Sequence, residues 1–118
     1  MKKIHSQRKY VSISPEGFCF TGFYLDYYIL KSEIHIPNSD IRAVVYGIEI
    51  EKKYEEDGTE KILEQANIND IFVSEEHTKK FIGMLAGKQI TPSGLKYVIN
   101  ELLDENGYEP PEFTVNVM

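Results

Sequence analysis

The hydrophobic period of this sequence changes once, and that single change constrains the fold more than any other feature. From Lys9 to about Phe72, apolar residues alternate or run in short stretches between turn signals, which is strand behaviour. From Ser74 to Asn106 they recur at spacings of three and four, which is helix behaviour. Strands gathered in one block and helices in the next predict an α+β fold rather than an alternating βαβ one. The expected architecture is an antiparallel sheet of four to five strands followed by a C-terminal two-helix hairpin packed on one face. The 118 residues contain neither an internal repeat nor a linker rich in Pro, Gly and Ser, so one domain is expected over 1–118. Its expected parts are a basic arm over 1–9, the sheet over 10–72, the helical hairpin over 74–106, and a tail or edge strand over 107–118.

The strand reading is clearest over Arg42 to Tyr54. Val44, Tyr46, Ile48 and Ile50 alternate with Val45, Gly47, Glu49, Glu51 and Lys53, which predicts one dry face and one wet face. Gly47 has no side chain to pack, so a bulge or a close neighbour is expected there. Asp57-Gly58 supplies a turn into a second strand from Thr59 to about Ile68. Upstream, a strand over Lys9 to Ser14 is expected to end at Pro15 and Gly17, and Glu33 to Ile36 to end at Pro37-Asn38. Phe18 to Leu30 is apolar on both faces. One face carries Cys19, Phe23, Leu25, Tyr27 and Ile29, and the other carries Phe18, Phe20, Tyr24 and Tyr28 with Asp26 among them. Such a strand is either covered twice or offers one face to a partner.

The helices announce their ends. Ser74 is a natural N-cap ahead of Glu75 and Glu76, with Phe81, Ile82 and Leu85 as the buried stripe and Gly87 at the close. Thr91 caps a second helix with Pro92 in the first turn, and Leu95, Val98, Ile99, Leu102 and Leu103 share one face.

At Tyr46-Gly47-Ile48-Glu49-Ile50-Glu51, Ile68-Asn69-Asp70-Ile71, and Ile90-Thr91-Pro92 with Leu95 and Val98-Ile99, the chain resembles a family of small proteins of unknown function from Gram-positive anaerobic bacteria. The resemblance runs over about residues 24 to 106. It implies a cytoplasmic bacterial protein and carries over no activity, cofactor or catalytic residue.

Charge narrows the range of partners. Thirteen Lys and Arg face 19 Asp and Glu, a formal charge of -6, which repels nucleic acid over most of the surface. Lys2, Lys3, Arg8 and Lys9 stand apart in the first ten residues and are the nucleic-acid candidates. Cys19 is alone, no segment resembles a secretion leader, and no apolar run approaches the roughly 20 residues of a membrane helix. A cytoplasmic protein without membrane residence is expected.

Chemistry is thinly signposted. His5, His35 and His77 are far apart with no closely spaced ligand pair, so no metal site is expected. No cofactor motif occurs: neither a Walker pattern nor Gly-x-Gly-x-x-Gly is present. Cys19 reads as a small buried hydrophobe rather than a nucleophile. Glu33, His35 and Asp40 are the least poor catalytic grouping, although solvated polar residues on an exposed strand explain them as well. Thr91, Ser93 and Gly94 are an anion-binding candidate at a helix start, where simple capping is the plainer account. Eight Tyr and six Phe without a Trp make the Phe18, Phe20, Tyr24 and Tyr28 face an interaction-surface candidate. The expected function is accordingly a non-enzymatic protein-interaction or regulatory module, with a protein partner or a homodimer. A small enzyme with a dispersed site and a nucleic-acid contact through the basic arm are the alternatives.

Overall fold

Four long strands are laid down in sequence order, each the antiparallel neighbour of the one before. The computed structural model describes residues 1–12, 22–106 and 114–117, with side chains over 1–12 and 22–101. The strands are β1 Lys2–Ser12, β2 Gly22–His35, β3 Arg42–Glu56 and β4 Thr59–Phe72, followed by helices α1 Glu75–Gly87 and α2 Pro92–Asn106. A fifth strand, β5 Thr114–Val117, adds to the free edge of β4 within the same chain, giving the order β1-β2-β3-β4-β5. The fold is α+β, an antiparallel open sheet followed by two C-terminal helices.

Two of the three expected turns hold the meander, and the third, at Pro15 and Gly17, lies outside the described residues. Asp57 and Gly58 adopt φ of 52° and 77°, the left-handed pair that a two-residue hairpin requires, and Asn38 takes φ 63° in the β2–β3 turn. Gly47 sits at a register shift between β3 and β4, and a Cβ there would meet the backbone of Ile68 and lie 2.8 Å from the Cα of Asn69. This is the close neighbour that its missing side chain predicts.

One sheet face is dry. Leu25, Tyr27 and Ile29 of β2, Ile48 and Ile50 of β3, and Ala66 and Ile68 of β4 pack against Ile82, Leu85 and Ala86 of α1 and Leu95 and Ile99 of α2. The two helices thus cover the face to which alternation assigns Tyr46, Ile48 and Ile50 of β3, and burial of the aliphatic side chains there, at about 1.5–3 kcal/mol each, is the main term holding the layers together. The Tyr27 hydroxyl donates to the carbonyl of Ile90 at 2.8 Å, tying the sheet to the link between the helices, and burial pushes its phenol up to about 12.

The helix caps behave as expected at α1, where the Ser74 hydroxyl accepts from the N–H of His77. Its C-terminus differs. Gly87 remains helical and Gln89 takes the left-handed position at φ 53°. The N–H of Ile90 then donates to Leu85 O and that of Gln89 to Ala86 O, at 2.9 and 3.0 Å, a Schellman closure. The tight turn inward of Ile90 onto the core selects this position, two residues beyond the glycine.

Two expectations are corrected. Residues 2–9 are not an arm: β1 begins at Lys2 and pairs with β2 from Lys2↔Lys31 to Ser12↔Gly22. Strand pairing supplies backbone hydrogen bonds that a charged sequence alone does not reveal. Val44, assigned to the dry stripe, is 41% exposed, because it lies beyond the helices near the end of the sheet.

Candidate functional site

The sheet face opposite the helices was expected to be wet, yet its acids are buried. Glu49 and Glu51 are 6% and 4% exposed, and Asp26 is 1% exposed. Burying three carboxylates so close together is tolerable only with cations beside them. The cations come mainly from β1. Lys3 Nζ contacts Glu49 and lies 3.3 Å from Glu51. Arg8 makes a two-pronged contact with Asp26, its Nε and Nη2 donating to the two carboxylate oxygens at 2.8 Å each, and the same Nη2 donates to Glu60 at 2.8 Å. Lys53 of β3 donates to Asp26 at 2.8 Å and to the Tyr28 hydroxyl at 3.0 Å. His5 Nε2 lies 3.0 Å from the remaining side of Asp26.

A backbone irregularity makes this convergence possible. Residues 5 and 8 of a regular strand point to opposite faces. The pairing of β1 with β2 skips Ser6, running His5↔Tyr28 and then Gln7↔Tyr27 and Arg8↔Asp26, so one extra residue returns Arg8 to the face of His5. Asp26 therefore receives three partners. Burial pushes its carboxyl up, but the hydrogen bonds from Arg8, Lys53 and His5 outweigh burial and hold it well below the usual carboxylate range. Lys53 shifts the opposite way: burial works against its charge, and Asp26 and then Tyr28 raise it well above the ordinary lysine value.

The tyrosines of this face lie under the cations. Lys3 Nζ sits 4.3 Å from the centre of the Tyr28 ring and the Arg8 guanidinium 4.6 Å from that of Tyr24, both within cation–π range. Tyr10 continues the row against Tyr24, at 5.1 Å between ring centres, and is 47% exposed. Tyr24 and Tyr28, expected as an exposed interaction surface, are half-buried, and Tyr10 is the ring that reaches solvent. Sequence reasoning passed over Tyr10; its alternation with Arg8 on a strand face was the available signal. Phe18 and Phe20, with Cys19, lie outside the described residues.

The remaining candidates fare unevenly. Of the four nucleic-acid candidates, Lys3 and Arg8 are committed to carboxylates, Lys2 is exposed and Lys9 half-buried. At the start of α2, the carbonyl of Thr91 accepts from Gly94 and Leu95, and the Ser93 hydroxyl donates to Glu64. The Ser93 hydroxyl of this helix start is thus engaged by an acid of β4. Glu33, His35 and Asp40 are all exposed, Glu33 facing Arg42 at 3.6 Å. The shallow depression that Glu33 helps line, with Met1, Lys2, Lys31, Ser32 and Val44, includes neither His35 nor Asp40. Among the described residues no group of three or more His, Cys, Asp or Glu is placed to hold a metal, and no helix is long and apolar enough to cross a membrane.

Fold and site together define a two-layer α+β protein whose sheet carries a core on one side and a cation-capped tyrosine row on the other. The chain belongs to the family of unknown function DUF6514, whose family model matches residues 20–105. No curated protein and no solved structure matches the chain.

Proposed function

We propose that this protein is a non-enzymatic interaction or regulatory module that meets a protein partner, which can be a second copy of itself, through the polar face of β1–β3. The observation that carries the reading is the row Tyr10, Tyr24 and Tyr28, whose rings are fixed by each other and by Arg8 and Lys3. Rigid aromatic rings lose little conformational freedom on contact, and a surface already ordered by buried ion pairs is preorganised for recognition. A cytoplasmic setting in a Gram-positive anaerobe belongs to the same proposal, supported by the resemblance and by the lone cysteine of the sequence. Nucleic acid is the weaker alternative, because the charges of Lys3 and Arg8 are already neutralised by acids on the same face. A dispersed-site enzyme would have to use Glu33, His35 and Asp40, of which only Glu33 lines the depression beside the end of β1.

The test is a photo-crosslinking residue placed at Tyr10, with the same residue at Tyr97, 73% exposed on α2, as the control. Illumination in cells is expected to link position 10 to one defined protein and position 97 to none. An identical set of products from the two positions, or no product from position 10, removes the polar face as the contact.

A further inference from the structure

The far end of the β2–β3 hairpin outruns both neighbours. Pairing of β1 with β2 ends at Lys2↔Lys31, and pairing of β3 with β4 ends at Tyr46↔Phe72, whereas β2 and β3 stay paired out to His35↔Arg42. Residues 32–45 therefore stand as a two-stranded ribbon with two open edges among the described residues. A ribbon of this kind is marginally stable alone, and open edges are templates for pairing with another strand. The ribbon is also apolar: Ile34, Ile36, Ile41 and Val44 are 39%, 38%, 60% and 41% exposed.

Hydrogen-bond parity shows which backbone groups are free. The N–H of Ile36 donates to Ile41 O at 2.9 Å, which makes 36 and 41 a hydrogen-bonded pair. Antiparallel alternation then bonds Ile34 to Ala43 and Ser32 to Val45, and turns the N–H and C=O of Glu33 and His35 away from β3 to the open edge.

We propose that a second copy of this chain pairs antiparallel with this edge, across a two-fold axis passing through Ile34. In that register Glu33 of each copy faces His35 of the other, and the two residues with free backbone groups meet as hydrogen-bonded pairs. The two Ile34 side chains meet on the axis, and Ser32 lies opposite Ile36. Neighbouring registers lack this complementarity. An axis on Glu33 sets two carboxylates against each other, and an axis on His35 sets two imidazoles together and places Glu33 opposite Pro37, which has no N–H to give. The open edge of β3 is no substitute, because it sets Arg42 against either Val44 or a second Arg42. A depression of about 350 Å³, lined by Met1, Lys2, Lys31, Ser32, Glu33 and Val44, borders the edge where β1 ends. Only about five residues per copy pair, well under the roughly 800 Å² per partner of a standard stable interface, so the dimer is weak and forms on the order of 100 μM. This deepens the reading of the chain as an interaction module by naming a second copy as a partner, at a surface separate from Tyr10.

Sedimentation velocity on the full chain from about 10 to about 500 μM tests it. The mass is expected to rise from one chain of 13.6 kDa toward two. His35→Glu is expected to weaken association at least tenfold by setting two carboxylates opposite, Glu33→Lys to weaken it by removing the carboxylate that faces His35, and the double variant to restore it by setting Lys against Glu. Both positions are exposed, and circular dichroism verifies that the variants fold. A constant single-chain mass, a mass climbing past two chains, or association indifferent to the single swaps overturns the proposal. The Tyr10 crosslink reads the other surface, so association indifferent to the Glu33 and His35 swaps overturns this pairing alone and leaves that reading standing.

Discussion

Asp26 is the residue on which the polar face turns. Its carboxylate is 1% exposed and joins β1 to β3 through Arg8, His5 and Lys53. Replacing it leaves Arg8 and Lys53 facing one another without their carboxylate, although Arg8 is exposed enough to regain water. Asp26→Asn is therefore expected to cost about 1–3 kcal/mol at neutral pH, measured by urea unfolding. The acid limb follows from the direction of the shift. A carboxyl held below its ordinary value of 3.8 takes up its proton first in the unfolded chain, so its contribution is present above that pH and is lost as the pH falls further. The wild type should lose stability steeply below about pH 4. Asp26→Asn should show a shallower loss, and parallel curves for the two proteins would mean that Asp26 does not carry the acid sensitivity.

At the scale of elements, the strands are shaped by local irregularities as much as by alternation. The extra residue at Ser6 turns a basic stretch into half of an ion-pair network, and the shift at Gly47 lets β4 approach β3 where no Cβ fits. The obstruction at Gly47 is backbone, which cannot swing aside as a flexible side chain would. Gly47→Ala is accordingly expected to destabilise the protein by about 1–3 kcal/mol, seen as a lower urea midpoint with unchanged m-value. A change of a few tenths would show that the strand pair can part at no cost. The glycine was legible as a bulge because a gap in an otherwise apolar and charged strand needs an explanation. The Ser6 bulge was not, since His5 to Arg8 offers no periodicity against which one extra residue stands out.

The molecule as a whole is a long sheet clamped in the middle. Helices cover the centre, where Leu25, Tyr27, Ile48 and Ile50 are fully buried, and the ribbon of residues 32–45 extends beyond them with exposed isoleucines. Stability should grade along the strands in the same way. In dilute solution the amides of Glu33 and His35, turned away from β3, should exchange with solvent far faster than that of Tyr27, in the β1–β2 ladder beneath the helices. Equal protection of the two sets would contradict the open edge.

The amino-acid order by itself determined the strands-then-helices plan, the Asp57-Gly58 turn, the Ser74 cap and the dry stripe of β3 from Tyr46 to Ile50, because these depend on neighbours within a few positions. Tertiary structure alone decided that residues 2–9 form a strand, that Glu49 and Glu51 lie buried, and that Tyr24 and Tyr28 sit beneath cations rather than in the open. Each of these follows from cross-strand register between β1, β2 and β3. Asp26 and Arg8 are 18 positions apart and Lys3 and Glu49 far more, and a contact over that separation leaves no period in the chain by which it could be read.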